Sequence, residues 1–199
     1  MSYIGYKPAD KPLTSADITD GIISSADIAN GAITSAKLAT GVGGKVLQVV
    51  QTVKTDTFNT SSTTFTDITG LSASITPSST SNKILVMCHI GICDAGGDGV
   101  STAVALIRGS TNIGGGTASG NRLSGISRTA SGQNADHGNG LSFQYLDSPN
   151  TTSSTTYKVQ AQAQTSFSVY VNRSTTDANV ALSYGTRTSS TLTLIEITG

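Results

Sequence analysis

KILVMCHIGI, residues 83–92, and STLTLIEI, residues 190–197, decide the fold class of this chain. Both are short apolar runs rich in the residue types that suit a pleated, half-buried surface, and both are bounded by turn-forming residues, so both read as strands. TYKVQAQAQ, residues 156–164, sets the contrast. There Tyr157, Val159, Ala161 and Ala163 alternate with Lys158, Gln160, Gln162 and Gln164, giving one dry face and one wet one. Ile84 to Cys88 and Leu192 to Ile197 instead carry aliphatics at both parities. A strand apolar on both faces of an antiparallel sandwich needs a second cover, and another subunit supplies it most simply.

Composition agrees with strands. Ser and Thr make up 58 of the 199 residues, there are 12 leucines, and Glu196 is the single glutamate. Hydroxyl side chains compete with the helical backbone for hydrogen bonds, whereas Thr and Val fit a sheet. With 36% apolar residues and 12 basic against 12 acidic groups, the chain has the means to fold. The balanced charge, without runs of one sign, leaves no electrostatic footprint for nucleic acid or an anionic membrane, and neither is an expected partner. The longest apolar stretch, Ile84 to Cys88, is far short of a membrane span, and the start MSYIGYKPADKP lacks a basic-then-apolar signal. Synthesis and retention in a cytoplasm are expected. Cys88 and Cys93 fall in one strand at a spacing of roughly 16 Å, beyond disulfide reach, and read as buried thiols.

Further strands are expected at residues 45–54, 63–68, 71–75, 102–108, 122–128, 141–146 and 166–171, separated by TPSSTSN, DAGGDG, GSTNIGGGTASGN, TASGQNADHGNG and DSPNTTS. About ten short strands at such spacing make residues 45–199 an all-β antiparallel sandwich or jelly roll.

Residues 1–12 contain Pro8 and Pro12 and no apolar period, so they read as an extended arm. Residues 13–44 hold three ungapped units of ten, LTSADITDGI, ISSADIANGA and ITSAKLATGV. Ser15, Ser25 and Ser35 are expected to cap one turn each, and Gly21, Gly31 and Gly41 to close it in a left-handed conformation. Ile18, Ile28 and Leu38 then recur once per unit. Three units are too few for a freestanding solenoid, so the stripe requires other chains, with Asp17, Asp27 and Lys37 left in water.

Catalytic chemistry needs convergent titratable groups. His89 lies in the most apolar strand and reads as a hydrogen-bonded core residue, and His137 beside Asp136 as a surface turn. No nucleophile elbow, phosphate loop or paired metal-binding histidines occur. A tailspike-type glycan hydrolase is the enzymatic rival, but such enzymes use paired carboxylates, and Glu196 sits in an apparent core strand while Asp94 and Asp98 read as turn residues. The Asp94 and Asp98 pattern lacks the ligand density of calcium loops. The expectation is therefore no enzyme, no catalytic residue, no metal and no cofactor.

The stretch IGYKPADKPLTSADITDGIISSADIANGAITSAKLATGVGGKVLQV resembles the N-terminal region of tail-fibre proteins of tailed bacteriophages, notably those of cyanobacteria. STSNKILVMCHIGI, ALIRGSTNIG, FQYLDSPNTTSSTTYKVQ, VYVNRS and TLTLIEI are similar to a fibre head found after such repeats. The resemblance implies a homotrimer in the virion tail with a tumour-necrosis-factor-like jelly-roll head, its last strand near the threefold axis. It also implies docking of residues 1–12 on another virion protein of the tail or baseplate, a repeat stalk at 13–44, and a head at 45–199 that touches a host-surface glycan or protein receptor. Loops 109–121, 129–140 and 173–188 are expected to gather at exposed ends for that contact. The alternative is a structural adaptor, collar or head decoration without receptor binding.

Overall fold

A computed structural model describes residues 18–34, 37–38, 45–97, 99–130 and 138–199. The chain divides into two units, Met1–Gly44 and Lys45–Gly199.

Among the described residues the second unit holds eleven strands: β1 (Val46–Lys54), β2 (Phe58–Thr60), β3 (Thr66–Ile75), β4 (Lys83–Asp94), β5 (Ser101–Arg108), β6 (Thr111–Ile113), β7 (Ser127–Ala130), β8 (Asn139–Asp147), β9 (Thr155–Gln162), β10 (Val169–Val171) and β11 (Ser190–Ile197). Every pairing is antiparallel. One sheet runs β1-β11-β4-β8, with β10 and β2 continuing on the β11 side of β4; the other runs β3-β9-β5, with β6 and β7 sharing the far edge of β5. With the three-residue strands set aside and the remaining eight counted in chain order, the sheets read 1-8-3-6 and 2-7-4-5. That wiring is a jelly roll, the architecture expected from the strand spacing.

Alternation explains the core. Ile84, Val86, Cys88 and Ile90 of β4 and Leu192 and Leu194 of β11 point inward to meet Ile68, Leu71 and Ile75 of β3, Val104 and Leu106 of β5, and Tyr157, Val159 and Ala161 of β9. The wet partners Lys158, Gln160 and Gln162 are half-buried on the other side of β9. Between the sheets, Thr52 Oγ1 donates to the Ser72 carbonyl and Gln48 Nε2 to that of Thr76, both at 2.8 Å, closing the β1/β3 edge.

The strand boundaries depart from the sequence reading where backbone conformation intervenes. The segments expected at 63–68 and 71–75 fuse into β3, because Gly70 at φ +83 admits an irregularity in the pairing with β9 between Asp67 and Ser72. The segment at 166–171 shrinks to Val169–Val171, since Ser166 turns at φ +70 and the Phe167 amide bonds to the Gln164 carbonyl. The strand expected from 122 begins only at Ser127, and β2 and β6 carry too short a pattern to be recognised in advance.

Two buried polar clusters tie connections to the sandwich. Tyr157 Oη donates to Asp147 Oδ2 at 2.6 Å, and Arg108 reaches both oxygens of the same carboxylate at 2.8 and 2.9 Å. Burial first, and the hydrogen bond to Asp147 second, push the Tyr157 phenol far above its ordinary range. Glu196 is 0% exposed and accepts from Gln48 Nε2 (2.6 Å), Asn82 Nδ2 (2.6 Å), the Ser78 amide (2.7 Å) and Ser78 Oγ (2.8 Å). Burial alone would raise its pKa, but these donors outweigh it and bring the carboxyl down to about 2. The lone glutamate is thus the pin that holds the 76–82 turn to the last strand. Cys88 and Cys93 are free and buried, and burial pushes both thiols up to about 12.

In the first unit, Gly21 and Gly31 adopt φ +82 and +77, the left-handed turns expected of them. The cap lies one residue earlier than expected. Ser24, not Ser25, precedes the 3₁₀ turn Ser25–Asp27, and its amide and hydroxyl both donate to Asp27 Oδ2, at 2.9 and 2.8 Å. Those two bonds, the amide first, hold the Asp27 carboxyl below its usual range. Ten residues later the Lys37 amide closes on the Thr34 carbonyl at 2.9 Å, at the positions of Asp27 and Ser24 in the previous unit. The arm 1–12 and the expectations for Ser15, Ser35 and Gly41 lie outside the described residues.

Candidate functional site: an apolar sheet face

Strand register places three rows of side chains across the outer face of the β1-β11-β4-β8 sheet. The first is Val49, Ile195, Leu85 and Leu146; the second Gln51, Thr193, Met87 and Gln144; the third Val53, Thr191, His89 and Ser142. None of these twelve positions carries Asp, Glu, Lys or Arg. The polar members satisfy one another, since Gln51 Nε2 donates to Thr193 Oγ1 at 2.8 Å and His89 Nδ1 lies 2.9 Å from Ser142 Oγ. The aliphatic members have no such resource. Val49 is 58% exposed, Val53 53%, Leu146 51% and Met87 42%. An antiparallel sheet with one solvated face normally turns polar residues outward, and a contiguous apolar row marks a surface that something covers. Between the second and third rows lies a groove of about 450 Å³, lined by Met87, His89, Ser142, Phe143, Gln144 and Thr193.

The two-faced pattern of β4 and β11 was therefore legible in sequence, but His89 was misplaced. It is exposed on the outer face rather than in the core, because β4 parity sends its neighbours Cys88 and Ile90 inward. The contributions of Val49 and Leu146 were missed. Their signal is the register itself, which sets Val49 against Ile195 and Leu146 against Leu85.

The sandwich also has two distinct ends. Lys45 lies beside the last strand, its carbonyl accepting from the Thr198 amide at 2.9 Å, at the end that carries Lys83 and Ile197. The opposite end carries Lys54, Asp94 and Ser190. Loop 173–188 and the flanks of loop 129–140 belong to that opposite end, while Gly109 follows Arg108 at the Lys45 end, its amide bonded to the Thr156 carbonyl at 2.8 Å. The three loops expected to gather thus separate, because β5 runs from one end to the other before Gly109 is reached. Asp94 is buried at the end of β4, where it accepts from the Ala95 and Thr175 amides and from Thr175 Oγ1; it is an anchor for loop 173–188 rather than a simple turn residue. Asp98 and His137 lie outside the described residues. Among the described residues no three His, Cys, Asp or Glu side chains converge to hold a metal, and no helix is long and apolar enough to cross a membrane.

No protein-family model and no curated protein matches this chain. Among solved structures it is similar to chains of infectious bursal disease virus, Gt strain (14% identity, TM-score 0.36) and Gx strain (15%, 0.35). The match covers 76% of this chain but only 38% and 37% of those viral chains. A likeness of that size transfers neither fold nor function.

Proposed function

We propose that this protein is a non-enzymatic virion component of a tailed bacteriophage, a homotrimeric tail fibre whose N-terminal arm docks on the tail and whose jelly-roll head contacts a host-surface receptor. The observation that carries the reading is the uncharged apolar band Val49–Ile195–Leu85–Leu146, with Val49 and Leu146 exposed and Ile195 and Leu85 half-buried between them. The repeats point the same way. Ile18, Ile22, Ile23, Ile28 and Ile33 are all 40% exposed or more, and no described residue of the first unit is buried. Aliphatics that recur in register and stay exposed among the described residues are accounted for by association of identical chains about one axis.

The test is the mass of the full chain in solution, with and without Leu85→Glu and Ile195→Glu. The wild type is expected as a trimer, and the double variant as a dissociated chain with an unchanged β-sheet circular dichroism spectrum. Oligomer formation by the double variant, or a folded wild-type monomer, refutes the assignment of this face.

A further inference from the structure

The outer face of the β3-β9-β5 sheet, on the side of the sandwich away from the apolar band, carries a recess of about 410 Å³ at the end opposite Lys45. That volume lies within the range of about 300–1,000 Å³ typical of small-molecule sites. Strand register builds it. Ala103 of β5 stands between Gln162 of β9 on one side and Arg128 of β7 on the other, so a small side chain forms the floor and two long ones the walls. With strands about 4.8 Å apart, the two walls rise from backbones roughly 10 Å from each other. Leu123, 57% exposed, supplies an apolar flank. Both walls have hydrogen-bonding capacity to spare. Gln162 Nε2 donates to the Thr63 carbonyl, which fixes the orientation of the amide, and its Oε1 finds no donor among the described residues. Arg128 is exposed and makes no ion pair or side-chain hydrogen bond among the described residues. The one carboxylate on the strands of this sheet, Asp67, is taken by Lys158 at 2.8 Å and by Gln160 Nε2 at 2.6 Å. The hydroxyls of Thr63, Ser101 and Thr165, which also line the recess, have no partner among the described residues either.

We propose that this recess is the subsite for an acidic sugar residue, a hexuronic or nonulosonic acid of a host-surface glycan; the inference rests on the receptor reading above and narrows it. The sugar carboxylate meets the Arg128 guanidinium, whose planar fork matches carboxylate geometry. A ring hydroxyl donates to Gln162 Oε1, and the carbon–hydrogen face of the ring lies on Ala103 and Leu123. The two walls set the ligand's chemistry, because one calls for an anion and the other for a donor across a short span, and one sugar ring with its substituents brings both. A bare anion would serve Arg128 and leave Gln162 Oε1 unsatisfied, which is costly for a buried acceptor. A peptide added as a strand does not fit, since it needs an unpaired backbone edge and Ala103 is paired on both sides. Assembly through the apolar band of the other sheet leaves this face free to meet a receptor.

The experiment is saturation-transfer NMR on the full chain with D-glucuronate, D-galacturonate and N-acetylneuraminate, and with D-glucose and acetate for comparison. At least one of the three acids should bind the wild type more tightly than glucose or acetate does. Arg128→Gln should weaken that binding by about tenfold or more. Ala103→Leu, which fills the floor and keeps the charge, should abolish it. Arg187→Gln removes an exposed guanidinium that does not line the recess and should bind as the wild type does. Circular dichroism melts check that each variant folds; Arg128 is exposed, so its variant decides the matter even where Ala103→Leu fails that check. No binding of any of the three acids, equal binding by folded Arg128→Gln or Ala103→Leu, or equal loss in Arg187→Gln overturns the proposal. So does displacement by acetate or glucose as effective as that by the acid sugars, which would make the recess a plain anion or neutral-sugar site. The two readings fail separately: a trimer that takes up none of the sugars defeats only this inference, and a monomer that binds them defeats only the subunit assignment of the opposite sheet.

Discussion

Glu196→Gln tests whether the single glutamate is a structural pin. Four donors converge on its two oxygens within 2.6–2.8 Å, from Gln48, Ser78 and Asn82. The folded carboxyl titrates at about 2, against an ordinary value of about 4.3. Because the folded pKa is the lower of the two, the stabilisation is fully present above the unfolded value and is lost as the pH falls from about 4.3 toward 2. A gap of about two units sets an upper bound of about 3 kcal/mol. Glutamine removes one acceptor and turns an amide donor toward groups that are already donors, so the variant should lose about 2 kcal/mol at neutral pH. The assay is urea unfolding of both proteins across a pH series. Wild type and variant should differ most at neutral pH and converge as the acid limit is approached. Parallel stability curves over the whole range would refute the pin.

Two further outcomes are expected. Tyr157→Phe should destabilise the sandwich by about 1–2 kcal/mol in thermal or urea melts, since it removes a charge-assisted bond from a buried side chain while Arg108 still holds Asp147; a neutral substitution would show that the hydroxyl contributes nothing net. Replacing Ile18, Ile28 and Leu38 by Ser should lower the stability of the assembled protein by on the order of 2 kcal/mol per buried aliphatic and per chain, and leave the sandwich melting unchanged; equal stability of the assembly would mean that the repeats are a solvated linker.

The sequence by itself determined the strand class, the alternating face of β9, the buried thiols and the left-handed glycines at 21 and 31. These are local properties: a period of two, a side-chain type, or a φ value that a β-carbon opposes. It also showed that β4 and β11 are apolar on both sides, because parity can be counted without a partner. Only the tertiary structure decided which parity faces the core. It sent His89 out to the surface, against the core position read from the sequence, and turned Glu196 of the core strand inward. It likewise placed Val49 and Leu146 in one row with Ile195 and Leu85, a contact spanning almost 150 residues of chain that only register can specify. The loops divided for the same reason. Which end of a sandwich a loop occupies depends on the number of strands crossed before it, and the fusion of the segments at 63–68 and 71–75 into the single strand β3 changes that number.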